Sequence, residues 1–136
     1  MNIEPYLFFN GRCEEAIEFY KRALQAEVVM LMRFTDSPEP TQMPLPPGSE
    51  NKVMHATVRI GDTNVLMSDG ECKGGAQFDG FALVVNARDG AEAGQRFSAL
   101  ADGGQVTMPL GKTVFASSFG MLRDRFGVHW MVIAAA

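Results

Sequence analysis

The sequence predicts an α+β fold built from two consecutive βαβββ modules. Three observations predict it. Leu7–Leu24 (LFFNGRCEEAIEFYKRAL) aligns without a gap on Leu83–Leu100 (LVVNARDGAEAGQRFSAL) at an offset of 76, with Leu7/Leu83, Asn10/Asn86, Arg12/Arg88, Ala23/Ala99 and Leu24/Leu100 identical. Each copy reads as an apolar strand, a short polar turn and a helix. Each helix is followed by three runs of strand type.

The elements follow in order. Pro5–Phe9 is the first strand, and Asn10 is a candidate helix cap because a short polar side chain accepts from an orphan amide. Cys13, Ala16, Ile17, Tyr20 and Leu24 recur at helical spacing and form one apolar stripe. Strands are expected over Glu27–Phe34, Val53–Ile60 and Asn64–Asp69, with Gly61-Asp62 as a two-residue hairpin turn. In the second module Phe81–Val85 is the strand, and Asp89 with Glu92 has the spacing of a capping box. Phe97, Leu100 and Ala101 supply the stripe, and Gly103-Gly104 ends the helix. The closing strands are Gln105–Met108, Val114–Leu122 and Val128–Ala134, with Arg125-Phe126-Gly127 in the final turn.

The organisation is a single domain, 1–136, with modules at 3–69 and 80–134. Thr35–Lys52 interrupts the first module and holds Pro38, Pro40, Pro44, Pro46 and Pro47, so it reads as a loop, with a binding lid and a surface insertion as equal alternatives. At 136 residues the chain suits one domain with a real core. An apolar content of 46% against 21% charged places it among globular proteins and not disordered ones. A net charge of −4 argues against nucleic-acid and anionic-membrane partners, which need a basic face. No apolar run approaches the length of a membrane span, and no secretory signal is evident. Cys13 and Cys72 form neither a disulfide framework nor a CxxC pair. A cytoplasmic location is the expectation.

A duplicated βαβββ unit of this size resembles the vicinal oxygen chelate superfamily, which includes glyoxalase I, extradiol dioxygenases and the fosfomycin and bleomycin resistance proteins. PYLFFNG (5–11), EEAIEFYKRAL (14–24), MHATVRIGD (54–62), LMSDG (66–70) and DRFGVHWM (124–131) are similar to motifs of its PhnB-like members, the 3-demethylubiquinone 3-methyltransferase-like domains. The resemblance implies curved mixed sheets that pair around a cavity, in many members across a dimer. It does not fix the chemistry, because one fold hosts many functions. The methyltransferase name is not taken literally, since no Gly-rich loop follows an early strand as in the usual Rossmann enzymes.

Metal-using members carry His and Glu ligands on the first and last strands of each module. The equivalent positions here are expected at Pro5, Met67, Gly80 and Met131, none of which supplies a hard ligand. A register shifted by one would give Tyr6, Ser68, Phe81 and Val132, or Glu4, Leu66, Asp79 and Trp130. Period-two alternation from the first set places Leu7, Phe9, Ala56, Val58, Val65, Asp69, Ala82, Val84 and His129 on the cavity side. It turns His55, opposite Ser68, toward the helix, and Trp130 toward a helix or a dimer contact. Phe115, Ser117 and Phe119 are candidates for the rim.

The resulting expectation is a metal-free protein, without cofactor, that binds a small apolar or aromatic molecule as a homodimer. Sequestration, as in bleomycin-resistance-like members, is one version. The expected ligand-binding residues are Phe9, Met67, Asp69, Phe115, His129 and Met131. For Asp69 a turn-capping role is an equal alternative, and His129 and His55 each have a structural alternative. The nine methionines read as adaptable packing first and as a plastic binding surface second. Two other functions compete with this one. The first is a metal-dependent lyase or dioxygenase with relocated ligands Asp69, His129 and Glu39 or Glu50; the second is a structural or regulatory dimer with a filled cavity.

Overall fold

A computed structural model describes residues 1–37 and 45–136. The elements are β1 (Tyr6–Phe8), α1 (Cys13–Leu24), β2 (Glu27–Arg33), a 3-10 turn (Phe34–Asp36), β3 (Val53–Ile60), β4 (Thr63–Ser68), β5 (Leu83–Ala87), α2 (Gly90–Ala101), β6 (Gln105–Gly111), β7 (Ala116–Arg123) and β8 (His129–Ala135). The chain divides into two compact units, 1–76 and 77–136. Each holds one four-stranded sheet and one helix, with orders β1-β4-β3-β2 and β5-β8-β7-β6. In each sheet one pair is parallel, β1 with β4 and β5 with β8, and the others are antiparallel. The repeat seen in the sequence is therefore a repeat of topology.

In the first unit α1 forms over the expected stripe, with Cys13, Ala16, Ile17, Tyr20 and Leu24 buried and Phe19 and Ala23 added to them. Glu14 and Glu15 in its first turn and Lys21 and Arg22 in its last complement the helix dipole. Gln25 ends it in the left-handed region, with its N–H donating to the Tyr20 carbonyl. The β3–β4 hairpin pairs Ile60 with Thr63, so Gly61-Asp62 is the two-residue turn, with Gly61 at φ +59°.

Asn10 does not cap α1. It sits in the left-handed region at φ +50°, and its side-chain amide donates to the Gly75 carbonyl at 3.4 Å. The cap comes from a different strand end, through Asp69. In the second unit Asp89 caps α2 as expected, its carboxylate accepting from the Glu92 amide at 2.9 Å. Glu92 reaches back one residue further than the usual box, to the Arg88 amide.

The remaining differences have local causes. Strand β5 lies two residues later than expected because its register with β8 runs from Leu83/Trp130 to Ala87/Ala134. Strand β6 continues past Pro109, which an edge strand tolerates at its register shift between Met108 and Gly111. Strand β7 starts at Ala116, because Thr113 Oγ1 accepts from the Phe115 and Ala116 amides and holds 113–116 as a turn. Pro38, Glu39, Pro40 and Pro44 of the proline-rich segment lie outside the described residues.

Gly120 shows why α2 lies so close to its sheet. A Cβ there would stand 2.7 Å from Phe97 Cε2 on α2 and 2.9 Å from the Leu110 Cα. Gly120→Ala is expected to destabilise the protein by about 1–3 kcal/mol, the usual cost of overpacking. Urea denaturation checks this, and an unchanged midpoint would contradict the close approach.

Candidate functional site: the open faces of the two sheets

Cross-strand register fixes which side chains share a face. In the first sheet Leu7 lies opposite Met67, Met67 opposite Ala56 and Ala56 opposite Leu31. This row faces α1: Phe9, two residues beyond Leu7, has its ring 6.3 Å from that of Tyr20, and Leu7, Phe9, Met67, Ala56, Val58 and Val65 are all buried. The opposite row runs Tyr6, Leu66, Thr57, Met30. Beside it lie Phe8, paired with Ser68, and His55, paired with Met32. Tyr6 is 36% and Phe8 51% exposed, so this face carries no helix.

This corrects the expected facing of the first module. Leu7, Phe9, Met67, Val65, Ala56 and Val58 belong to the helix side, and His55 belongs to the open side. The physical reason is a one-residue slip, which turns every side chain of a strand over. The second module agrees with the expectation. Val84, Met131, Met121 and Met108 form one row on the open face, and Asn86, Ile133 and Phe119 form the next. Trp130 and Val132 lie on the side of Gly120, facing α2. Phe115 stacks edge-on against Phe119 with centroids 5.2 Å apart, whereas Ser117 donates to the Ala134 carbonyl at the β7 bulge.

Asp69 is not aimed at an open face. It is 1% exposed, and its carboxylate accepts three backbone amides: Gly11 at 2.7 Å and Cys13 at 2.8 Å on Oδ1, and Val53 at 2.9 Å on Oδ2. Its own amide donates to the Val53 carbonyl, and its carbonyl accepts from Cys72. One side chain thus caps α1, fixes the β1–α1 turn and ties down the start of β3. Of the two roles open to it, the turn-organising one accounts for all three of its contacts.

Asp124 does the same work in the second unit. It is 3% exposed, with Oδ1 accepting from the Phe126 and Val128 amides and Oδ2 from the Trp130 indole at 2.9 Å. The acids of LMSDG and DRFGVHWM are therefore structural clasps.

His129 is partly exposed on the open side of β8, with Nε2 3.3 Å from Arg123 Nη2 and 3.7 Å from Asp79 Oδ1. Of the six expected ligand-binding residues, Phe115, His129 and Met131 lie on the open side of the second sheet, and Phe9, Met67 and Asp69 are buried in the first unit. Tyr6, Phe8, Met30 and Met32 on the open face of the first sheet are not among the expected ligand-binding residues, and of these Tyr6 enters only in the register shifted by one. The offset of 76 carries the signal for two of them, since it places Tyr6 and Phe8 on Ala82 and Val84.

The open-face positions on the terminal strands do not fit the divalent metal of the superfamily's enzymes. Tyr6, Phe8, Leu66, Ser68, Val84, His129 and Met131 include one imidazole and no carboxylate. Among the described residues no group of three or more His, Cys, Asp or Glu side chains could hold a metal ion. Glu39 lies outside the described residues, and Glu50 is exposed.

The proline-rich loop is held at both ends. Phe34 donates to the Lys52 carbonyl and Thr35 to the Glu50 carbonyl. Arg33 bonds the Asn51 carbonyl and pairs with Glu14 on α1, which holds the Glu14 carboxyl below its usual range. Lys52 Nζ donates to the Gly11 carbonyl at 2.9 Å. A niche of about 170 Å³, lined by Gly11, Glu14, Asn51, Lys52, Val53 and Asp69, remains at the start of α1.

Cys13 is fully buried, and that burial with the nearby Asp69 charge pushes its thiol far above the usual range. Cys72 is partly exposed and its thiol is also raised, first by desolvation. Iodoacetamide is expected to label Cys72 slowly and Cys13 only after unfolding, as peptide mass spectrometry reads out. Labelling of native Cys13 at the Cys72 rate would contradict the burial.

The two sheets define the class: a tandem βαβββ protein with the glyoxalase/bleomycin resistance/dioxygenase fold. A glyoxalase/bleomycin resistance protein/dioxygenase domain from Frankia shares the fold, at a TM-score of 0.66 and 13% identity over 100% of this chain and 93% of its own. The model of the 3-demethylubiquinone-9 3-methyltransferase family matches residues 1–133, and the chain belongs to that PhnB-like family. Protein YjdN of Escherichia coli is 35% identical over 97% of this chain and 94% of its own. The crystal structure of PA1353 from Pseudomonas aeruginosa has a TM-score of 0.86 and 40% identity, covering 99% of this chain and 98% of its own. The PhnB protein from Bacillus cereus has a TM-score of 0.82 and 31% identity, covering 99% and 100%. Each sheet here mixes one parallel pair with two antiparallel ones, unlike the open parallel sheet of a Rossmann enzyme. No helix among the described residues is long and apolar enough to cross a membrane.

Proposed function

We propose that the protein binds a small apolar or aromatic molecule on the open faces of its sheets, as a metal-free homodimer. The observation that carries this reading is the composition of those faces. Met30, Met32, Met108, Met121 and Met131 lie there with Tyr6, Phe8 and Phe119, and the charged Glu27, Arg59 and Arg123 of the same faces stand toward the strand ends. Unbranched thioethers adapt to irregular apolar shapes, and aromatic rings offer flat contact. Phe8, Val84 and Phe115 are each half exposed or more in one copy, the kind of apolar surface that association or a ligand covers. Sequestration of an apolar compound is the version of this function that needs binding alone.

Sedimentation equilibrium and a thermal-unfolding screen of aromatic and aliphatic compounds test the reading. The expected result is a dimer stabilised by at least one compound, with Met131→Glu and Phe8→Glu folded but unresponsive. A monomer that no compound stabilises would contradict it.

A further inference from the structure

The open face of the first sheet carries a hydrogen-bonded polar cluster that the ligand reading does not use. The Tyr6 hydroxyl lies 2.9 Å from His55 Nδ1, and Thr57 Oγ1 lies 3.4 Å from His55 Nε2. The three residues come from β1 and β3, and Leu66 of β4 separates Tyr6 from Thr57 in the same row. Against Tyr6 lies the Phe8 ring, with centroids 4.7 Å apart and planes inclined by 26°. Phe8 is the more exposed of the two. Methionines 30 and 32 border the group on β2.

An imidazole with one partner at each nitrogen has two proton arrangements. In one, Tyr6 donates to Nδ1, and the phenol oxygen is left as an acceptor. In the other, Nδ1–H donates to the phenol oxygen, and the Tyr6 hydroxyl is free to donate outward. The Tyr6 oxygen can therefore meet either a donor or an acceptor: the two hydroxyls rotate, and the imidazole changes tautomer by losing a proton to water at one nitrogen and gaining one at the other. A hydroxyl attached to an aromatic ring is both donor and acceptor, and its ring fits a flat aromatic surface.

We propose that Tyr6, His55 and Thr57 form a hydrogen-bond relay that anchors the hydroxyl of a planar aromatic ligand whose ring stacks on Phe8. This assignment rests on the ligand-binding reading above and gives it a chemical class, hydroxylated aromatics. Tyr6 contacts the ligand; His55 and Thr57 are positioning residues that set which way the Tyr6 proton points.

The test compares 2-naphthol with naphthalene, two probes of the same ring that differ by the hydroxyl, on the full chain. The wild-type protein is expected to bind 2-naphthol about five- to tenfold more tightly, the size of one net hydrogen bond. Tyr6→Phe keeps the ring against Phe8 and is expected to equalise the two probes by weakening 2-naphthol alone. His55→Gln is expected to narrow the preference, and the imidazole nitrogen resonances of His55 are expected to move with 2-naphthol and not with naphthalene. Equal affinity of both probes in wild type and in Tyr6→Phe would overturn the relay while leaving an aromatic-binding face. Failure of both probes to bind the wild-type protein would overturn the binding reading itself, and the relay with it.

Discussion

Asp69→Ala is expected to lower stability by about 4 kcal/mol, which for a chain of this size is a fall of roughly 15 °C in Tm. The carboxylate receives the amides of Gly11, Cys13 and Val53, and the residue is fully buried. Each hydrogen bond to a charged group is worth about 1.5–3 kcal/mol, and each buried donor left without a partner adds its own desolvation cost. Alanine strands all three donors at once. Asparagine keeps one accepting oxygen and turns an amide NH2 toward a donor, so Asp69→Asn is expected to cost about half as much. Differential scanning calorimetry measures both. Variants within 2 °C of wild type would show that Asp69 does not organise the β1–α1 turn.

Asp124→Ala is expected to have the next largest effect, about 3 kcal/mol, with a spectroscopic sign of its own. The variant strands the Phe126 and Val128 amides and removes the acceptor of the Trp130 indole. Trp130 is the one tryptophan of the chain and is 4% exposed, so its emission reports on its own buried site, which includes this clasp. The expected result is a red-shifted native emission and a lower urea midpoint. An unchanged spectrum would place the indole elsewhere. Asp69 and Asp124 occupy corresponding roles, since each is an acid just beyond a strand end that gathers amides from the turn it closes.

Topology was readable because it rests on period and punctuation. The 3.6-residue stripe of α1 and the two-residue turn at Gly61-Asp62 both occur where the residues place them. Facing was harder, because it depends on the register of every strand, and one residue of slip inverts a face. The positions Pro5 and Met67 hold that slip in the first module, since the offset of 76 carries Pro5 to Phe81 and not to Gly80. The internal repeat opposes it, since Leu83 pairs with Trp130 just as Leu7 pairs with Met67. The clasps were half visible. An acid after a strand reads as a turn residue, but its partners at Gly11 and Cys13 are more than fifty residues away. The Tyr6–His55 contact was hidden for the same reason: it joins strands that are not sequence neighbours and needs the correct face.

The decisive property of the molecule is which side of the first sheet meets a ligand. Methionine methyl NMR on 13C-labelled protein titrated with 2-naphthol tests this directly, because Met30 and Met32 lie on one side of that sheet and Met67 on the other. The predicted result is saturable shifts at Met30 and Met32 with Met67 unmoved. Shifts centred on Met67, with Met30 and Met32 still, would contradict it.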